Sequence, residues 1–532
     1  MVALSRLTIA TAALLVLGGC SAVPAKLAQI HSLDPLKGRS CDACEGSLYD
    51  LLARSLVSPS QGDSAHALGH FVERWREERG KETEGRIDPP DEGAGPAFHV
   101  SFTRGHDGAY HPGYFDVIRP TVDFSVRKID HHTRPGIGTP LLALRENQGR
   151  DPLEFHYPPE AITRVVTAVA FPGPARSGLR RVRVELHCAL RDEFVEIGGG
   201  RHPLAADYSV PWAALLERTG ELNRAARADF LRGEATRDPN LYLTEPYDPD
   251  KEPLIMIHGL LSTPLVWAEI SNDLRAADAI RRRYQIWHFL YNTSAPALYS
   301  GRILRTRLRS LRLELDPDLD DPASQRITLL THSMGGIVAR GLITDPGDAF
   351  WDLAFTRPID SLTLSREDED SLREAFFWKP VPEVRRVIFV SVPHRGSDHA
   401  DNFIGRLGRA LADPPTGFQA FYARISEANP GAFTEEYAEL GRGELDSVGA
   451  LSPRQPTLQV LPELPVGDHV AMHSIIGDRG RPGPVEESSD GVVAYWSSHL
   501  PEADTLLVVP SGHNAMKNEA AVAEIKRLLA LP

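Results

Sequence analysis

Thr331-His332-Ser333-Met334-Gly335-Gly336 lies between two apolar runs of different character. Before it, Arg326-Ile327-Thr328-Leu329-Leu330 is short and rich in strand formers. After it, Ile337-Val338-Ala339-Arg340-Gly341-Leu342-Ile343 reads as a buried helix. A strand that passes at once into a helix confines its backbone to a tight turn, here with Ser333 at the apex. The two backbones nearly touch at such a turn, so the residues flanking the serine must be small. Gly335 and Thr331 meet that demand. A serine in this position can also simply cap the helix. Whether it does more depends on the partners found elsewhere in the chain.

The turn and its Ser-Met-Gly-Gly tail resemble the nucleophile elbow of the α/β-hydrolases, with Thr331 standing where that family's pattern has Gly. A serine hydroxyl is a poor nucleophile at neutral pH. It needs a base within hydrogen-bond reach and an acid that fixes the base's tautomer. In the family the chain order is serine, then acid, then histidine. Val508-Val509-Pro510-Ser511-Gly512-His513-Asn514 puts His513 in a loop after the last strand, as the expected base. Two acids are candidates: Asp478, ending Ser474-Ile475-Ile476-Gly477-Asp478, and Asp490, in Ser489-Asp490-Gly491-Val492-Val493. The second stretch resembles the acid loop of bacterial lipases, and Asp478 reads as a turn residue, so Asp490 is favoured. An oxyanion hole needs two backbone donors. The expected ones are the amides of Met334 and of Leu260, in Ile257-His258-Gly259-Leu260-Leu261. His258 is read as a brace for that loop.

Ser391-Val392-Pro393-His394-Arg395-Gly396-Ser397 is similar to the Thr-Pro-His-Arg-Gly-Ser stretch of lipase-like hydrolases related to GPI inositol deacylases, with Val392 in place of Thr. His394 and Arg395 could bind a substrate head group or brace neighbouring loops. The resemblance covers residues 241–532. It implies a serine carboxylic-ester hydrolase of lipase or esterase type acting on an acyl ester or lipid, with neither metal nor cofactor. The same triad would serve an acyltransferase or amidase, and the fold could also persist as a catalytically silent scaffold.

Length shapes the rest of the reading, since 532 residues exceed one ordinary core. Residues 1–20 read as a lipoprotein signal: an apolar run too short to span a bilayer, ending in Leu17-Gly18-Gly19-Cys20. That ending resembles the bacterial lipobox, which implies lipidation of Cys20 and anchoring in the cell envelope; Ser21 after it favours the outer membrane. Residues 21–96 read as a tether followed by a helical segment, with helix spacing over 47–56 and 65–78 and a Pro- and Gly-rich boundary over 82–95. Residues 97–240 read as a β-rich domain. Its strands are expected at 97–102, 114–118, 122–126 and 181–186, and a helix from Pro211 to Ala226. Residues 241–532 alternate strand and helix signals, which predicts a doubly wound, mostly parallel α/β sheet. Cap insertions are expected at about 345–382 and 398–465, both on the side where the nucleophile emerges. The aromatics of the first, including Trp351, Phe355 and Phe376-Phe377, would suit either a lipid-facing lid or the cap's own core. A net charge of −14 argues against nucleic acid as a partner. Cys41 and Cys44 could form a local disulfide, and Cys188 reads as buried. His106, His111, His131 and His132 read as turn residues rather than metal ligands.

Overall fold

The structure, a computed structural model, describes residues 45–57, 62–103, 110–126, 129–230, 238–260, 262–293, 295–397, 416–435, 437–438, 453 and 455–532, with side chains not described for 62–63, 220–230 and 416–419. Cys20 and the leader around it, the Cys41 and Cys44 pair, His106 and much of the 398–465 insertion lie outside those residues.

The N-terminal domain is a six-stranded sheet. Its strands are β1 (Glu84–Ile87), β2 (Ala97–Thr103), β3 (Val117–Pro120), β4 (Thr139–Arg145), β5 (Ile162–Arg176) and β6 (Leu179–Cys188), in the order β1-β2-β6-β5-β4-β3. The alternation read in the sequence is real in β6, where Arg181 and Arg183 face solvent and Val182 and Val184 are buried. β5 was not read as a strand. Its first nine residues are all buried, but Thr163, Arg164 and Thr167 break the run, so it shows neither a period of two nor a continuous apolar stretch. The helices Leu48–Ser55 and Gly62–Arg79 share the core of this sheet, with Leu51, Leu52, Phe71 and Trp75 packed among Val100, Phe102 and Val184. The stretch read as a boundary carries β1, which pairs with β2. The expected strand at 122–126 is instead a 3-10 turn, Thr121–Asp123, and a loop. Pro120 ends β3 just before it, having no N–H to extend a ladder.

The second sheet comprises β7 (Asn240–Leu243), β8 (Glu252–Ile257), β9 (Tyr284–Leu290), β10 (Ile327–His332), β11 (Val384–Val390), β12 (Ala471–Gly477) and β13 (Thr505–Val509). The order is β7-β9-β8-β10-β11-β12-β13, parallel throughout except for β7 at the edge. Side chains alternate between two cores. Ile255, Ile257, Leu329, Val387 and Phe389 meet the helices Ala297–Leu315 and Met334–Ile343. Leu254, Met256, Leu330, Ile388 and Ile475 meet Ala268–Ala276 and Glu519–Ala530. Helices on both faces make this the doubly wound α/β-hydrolase architecture, preceded by a separate β-rich domain.

The first insertion differs from its expected placement. It leaves from the end of the Met334–Ile343 helix and returns at Val384, which pairs with Ile327 at the start of β10. It is therefore rooted at the end of the sheet opposite Ser333, because a helix that leaves the nucleophile turn must run back down the sheet before the next parallel strand begins. Its aromatics face one another. Trp351 stacks on Phe355 with centroids 3.9 Å apart and on Phe377 at 5.3 Å, and Phe355 meets Phe433 of the second insertion at 4.6 Å. They form the cap's own core, not a lipid-facing lid. Among the described residues, no helix is long and apolar enough to cross a membrane.

Candidate active site

In an open parallel sheet, ligands bind beyond the carboxyl ends of strands where the winding direction reverses. Here β8 has β9 on one side and β10 on the other, so the crevice opens beside Ile257 and His332. Ser333 follows with φ 53° and ψ −129°, a strained conformation held by its amide, which donates to the Val390 carbonyl at 3.0 Å. The surrounding backbones are in contact. A Cβ added to Gly335 would lie 2.5 Å from the carbonyl oxygens of Ile257 and His258, and one on Gly259 would lie 2.8 Å from Ser333 Cβ. These two glycines let the loop after β8 close on the turn.

The structure brings Ser333, His513 and Asp490 together. The Ser333 hydroxyl donates to His513 Nε2 at 2.9 Å, and His513 Nδ1–H donates to Asp490 Oδ2 at 2.8 Å. Asp490 is 2% exposed, and its Oδ1 accepts from the amides of Val492 and Val493 at 2.8 and 2.7 Å. Burial opposes its charge, but the His513 ring and these amides outweigh burial and hold the carboxyl below the usual aspartate range. Asp478 makes no such contact. Its Oδ1 accepts from the Gly480 amide at 2.7 Å, the turn role read in the sequence. Asp490→Asn is expected to cut turnover at least a hundredfold by favouring the wrong His513 tautomer, whereas Asp478→Asn should stay within about twofold of the parent. Steady-state kinetics on the two purified variants check this, and equal losses would remove the distinction.

Leu260 follows directly on Gly259, which abuts Ser333, and Met334 opens the helix whose first-turn amides have no intrahelical acceptors. His258 is fully buried, stacks on Tyr291 with centroids 4.4 Å apart, and its carbonyl accepts from the Tyr291 hydroxyl at 2.7 Å. Burial lowers its pKa to about 4, so it is neutral and braces the loop. Arg395 is also a brace. Its Nη1 donates to the carbonyls of His499 at 2.7 Å and Trp496 at 3.2 Å, and its amide to Ser497 Oγ at 3.2 Å. The turn over 393–397 is thereby laced to the short helix Tyr495–Ser498, and Ser397 Oγ donates to the Val492 carbonyl of the acid loop. His394 is buried against Phe389 and cannot reach a head group.

Two contributors have no signal in the sequence. His332 Nε2–H donates to the His513 carbonyl at 2.9 Å. Burial and the neighbouring His513 lower its pKa to about 3, which keeps it neutral. Arg479, at φ 61°, donates from Nε to the Asp490 carbonyl at 3.0 Å and from its amide to Ser511 O at 2.9 Å, tying the acid loop to the histidine loop. Both depend on carbonyls contributed by distant loops. Of the histidines read as turn residues, His131 meets Asp207 and His132 meets Asp273, each at 2.9 Å.

The sheet order, the strained serine turn and the two later loops define an α/β-hydrolase fold. No family model matches the chain, and no curated protein matches it in sequence. Among solved structures it is similar to a lipase of Bacillus licheniformis in mature form, at 17% identity and a TM-score of 0.33 over 55% of this chain and 98% of that one. Lipase 1 of Pelosinus fermentans matches at 12% identity and 0.33, over 53% and 98% of the two chains. A phospholipase of Legionella pneumophila matches at 14% and 0.32, over 53% and 60%. Likeness at this level carries no argument about chemistry, which rests on the residues themselves.

Proposed function

We propose that this protein is a serine carboxylic-ester hydrolase of lipase or esterase type that works through an acyl-enzyme. The observation that carries the reading is the continuous hydrogen-bond chain from Ser333 through His513 to Asp490. Ser333 Oγ attacks the acyl carbonyl carbon while its proton passes to His513 Nε2. The amides of Leu260 and Met334 take the developing oxyanion. The tetrahedral adduct collapses, His513 protonates the departing alkoxide, and Ser333 retains the acyl group. Water, deprotonated by His513, then releases the acid. Asp490 stays ionised and holds the imidazole in the tautomer that leaves Nε2 free to accept.

The test is a fluorophosphonate probe on the purified chain, with the modified residue located by peptide mass spectrometry, beside a panel of p-nitrophenyl esters of increasing chain length and a phospholipid. Labelling confined to Ser333 and turnover of at least one ester are expected. A folded protein that takes no label is a silent scaffold, and the reading falls. We further propose envelope anchoring through Cys20, on the strength of Leu17-Gly18-Gly19-Cys20 alone. Cys20→Ser should abolish incorporation of a labelled acyl chain in cells, and undiminished incorporation would remove the anchor.

A further inference from the structure

The β-rich domain reaches the catalytic half close to the chemistry. Its helix Ser209–Phe230 lies against the segment that follows the Leu260 loop. Trp212 is 4% exposed, and its indole N–H donates to the Ala268 carbonyl at 2.9 Å. Trp212, Leu215 and Leu216 form one apolar cluster with Ala268 and Leu265. Arg275 covers the indole at 4.2 Å, and His288 meets it edge-on at 5.8 Å. Polar contacts secure the junction. Ser209 Oγ donates to Asn272 Oδ1 at 2.9 Å, Asn272 Nδ2 to the Asp130 carbonyl at 2.8 Å, and His132 Nε2 meets Asp273 Oδ1 at 2.9 Å.

The other side of this segment faces the nucleophile. Pro264–Trp267 is a single 3-10 turn opened by Thr263, whose hydroxyl accepts from the Leu265 amide. Trp267 is fully buried, with its ring 6.5 Å from His332 in an edge-on contact. His332 in turn holds the His513 carbonyl. One short turn thus has Leu265 and Ala268 clamped by the N-terminal domain while Trp267 packs behind the serine. Upstream, Gly259 is pressed against Ser333. On one side of Leu260, Gly259 is held by Ser333; on the other, Leu265 and Ala268 are held by the other domain.

We propose that the N-terminal domain is part of the catalytic unit, with Trp212 a positioning residue that sets the Leu260 amide through Ala268 and the Pro264–Trp267 turn. This rests on the serine-hydrolase reading above. Oxyanion donors act only within a few tenths of an ångström of their place, and misplacement by about 1 Å can cost a hundredfold in rate. Trp212 lies away from the substrate, so its loss should weaken the transition state and leave ground-state binding alone.

The experiment compares the full chain with Trp212→Ala and Trp212→Phe, each normalised to active serine by titration. Turnover of a p-nitrophenyl ester is read beside inhibition by an alkyl trifluoromethyl ketone. That probe takes Ser333 Oγ onto its carbonyl carbon, the serine proton moves to His513, and the carbonyl π pair becomes an oxyanion. Trp212→Ala should lose about tenfold in kcat at unchanged KM, with the ketone's inhibition constant raised by the same factor. Trp212→Phe, which keeps the ring and loses the N–H, should fall between. A variant that is merely less stable yields fewer active sites but an unchanged constant per site, and that result overturns the proposal. If Trp212→Ala does not fold, Trp212→Phe and Leu216→Ala decide by the same criterion. Parent activity with normal variants sinks this inference alone, whereas a parent that neither turns over esters nor binds the ketone takes the hydrolase reading down with it.

Discussion

Ser333→Ala is expected to lower ester turnover by at least about ten-thousandfold while leaving the fold intact. The two halves of that statement have separate grounds. The rate falls because no other hydroxyl is hydrogen-bonded to His513 Nε2 among the described residues, so no acyl-enzyme can form. The fold holds because the buried Ser333 hydroxyl makes that one side-chain bond, and alanine occupies less space in the same φ 53° turn. The amide that anchors the turn to Val390 is untouched. Groups that act as a unit are strongly non-additive, so His513→Ala added to Ser333→Ala should cost little more. Kinetics of the single and double variants, with melting temperatures alongside, check this. Retention of more than about one per cent of the parent rate would set the acyl-enzyme aside.

What could be read ahead of the coordinates depended on how local its cause was. The strand-turn-helix around Ser333 was legible because its constraint, two backbones in near contact, acts within ten residues and demands small side chains there. The parallel strands of the second half showed as short apolar runs separated by helical periods. β5 escaped because Thr163, Arg164 and Thr167, though buried, interrupt its apolar run, leaving neither an alternation nor a continuous apolar stretch. β7 escaped because four residues are too few for a pattern, and it lies antiparallel at the sheet edge across the point where the sequence reading divided the domains. Serine, aspartate and histidine appear in the expected order along the chain, and the coordinates bring Ser333, Asp490 and His513 into contact. Asp478 and Asp490 follow the same strand, and the Ser-Asp-Gly-Val-Val stretch favours Asp490, which is the one that His513 meets. His332, Arg479 and Trp212 were invisible for a common reason. Each acts on a backbone carbonyl supplied by a remote segment, and a carbonyl carries no residue identity. The first insertion was misplaced on a topological point: after a helix, the chain is back at the start of the next strand.

Stability is expected to fall steeply between pH 6.5 and 5, above the range where most carboxylates titrate. Four buried histidines open this window. His258, His288, His332 and His394 are at most 5% exposed; burial lowers the pKa values of the first three to about 4, 3 and 3 from an ordinary 6.5, and holds His394 well below that value. Their neighbours reinforce the neutral form. Arg275 and His258 lie by His288, and His513 and His258 lie by His332. On unfolding, each regains its ordinary pKa and binds a proton that the folded protein refuses. The unfolded state therefore holds more protons below pH 6.5, and stability drops as pH falls. The contribution is fully present above pH 6.5 and is lost progressively as pH falls toward the folded values. Each group loses about 1.4 kcal/mol per pH unit in that window, so the four together lose on the order of 8 kcal/mol by pH 5. That is comparable to the whole stability of many domains. Thermal unfolding from pH 8 to 5 checks it: a plateau down to about pH 6.5 should give way to a falling melting temperature. His288→Gln, which keeps a polar partner for Ser271 Oγ and cannot titrate, should remove about a quarter of the slope. A melting temperature that is flat down to pH 5 would mean that these rings are protonated in the folded state or reached by water. In either case His332 could not be the neutral donor that holds the His513 loop.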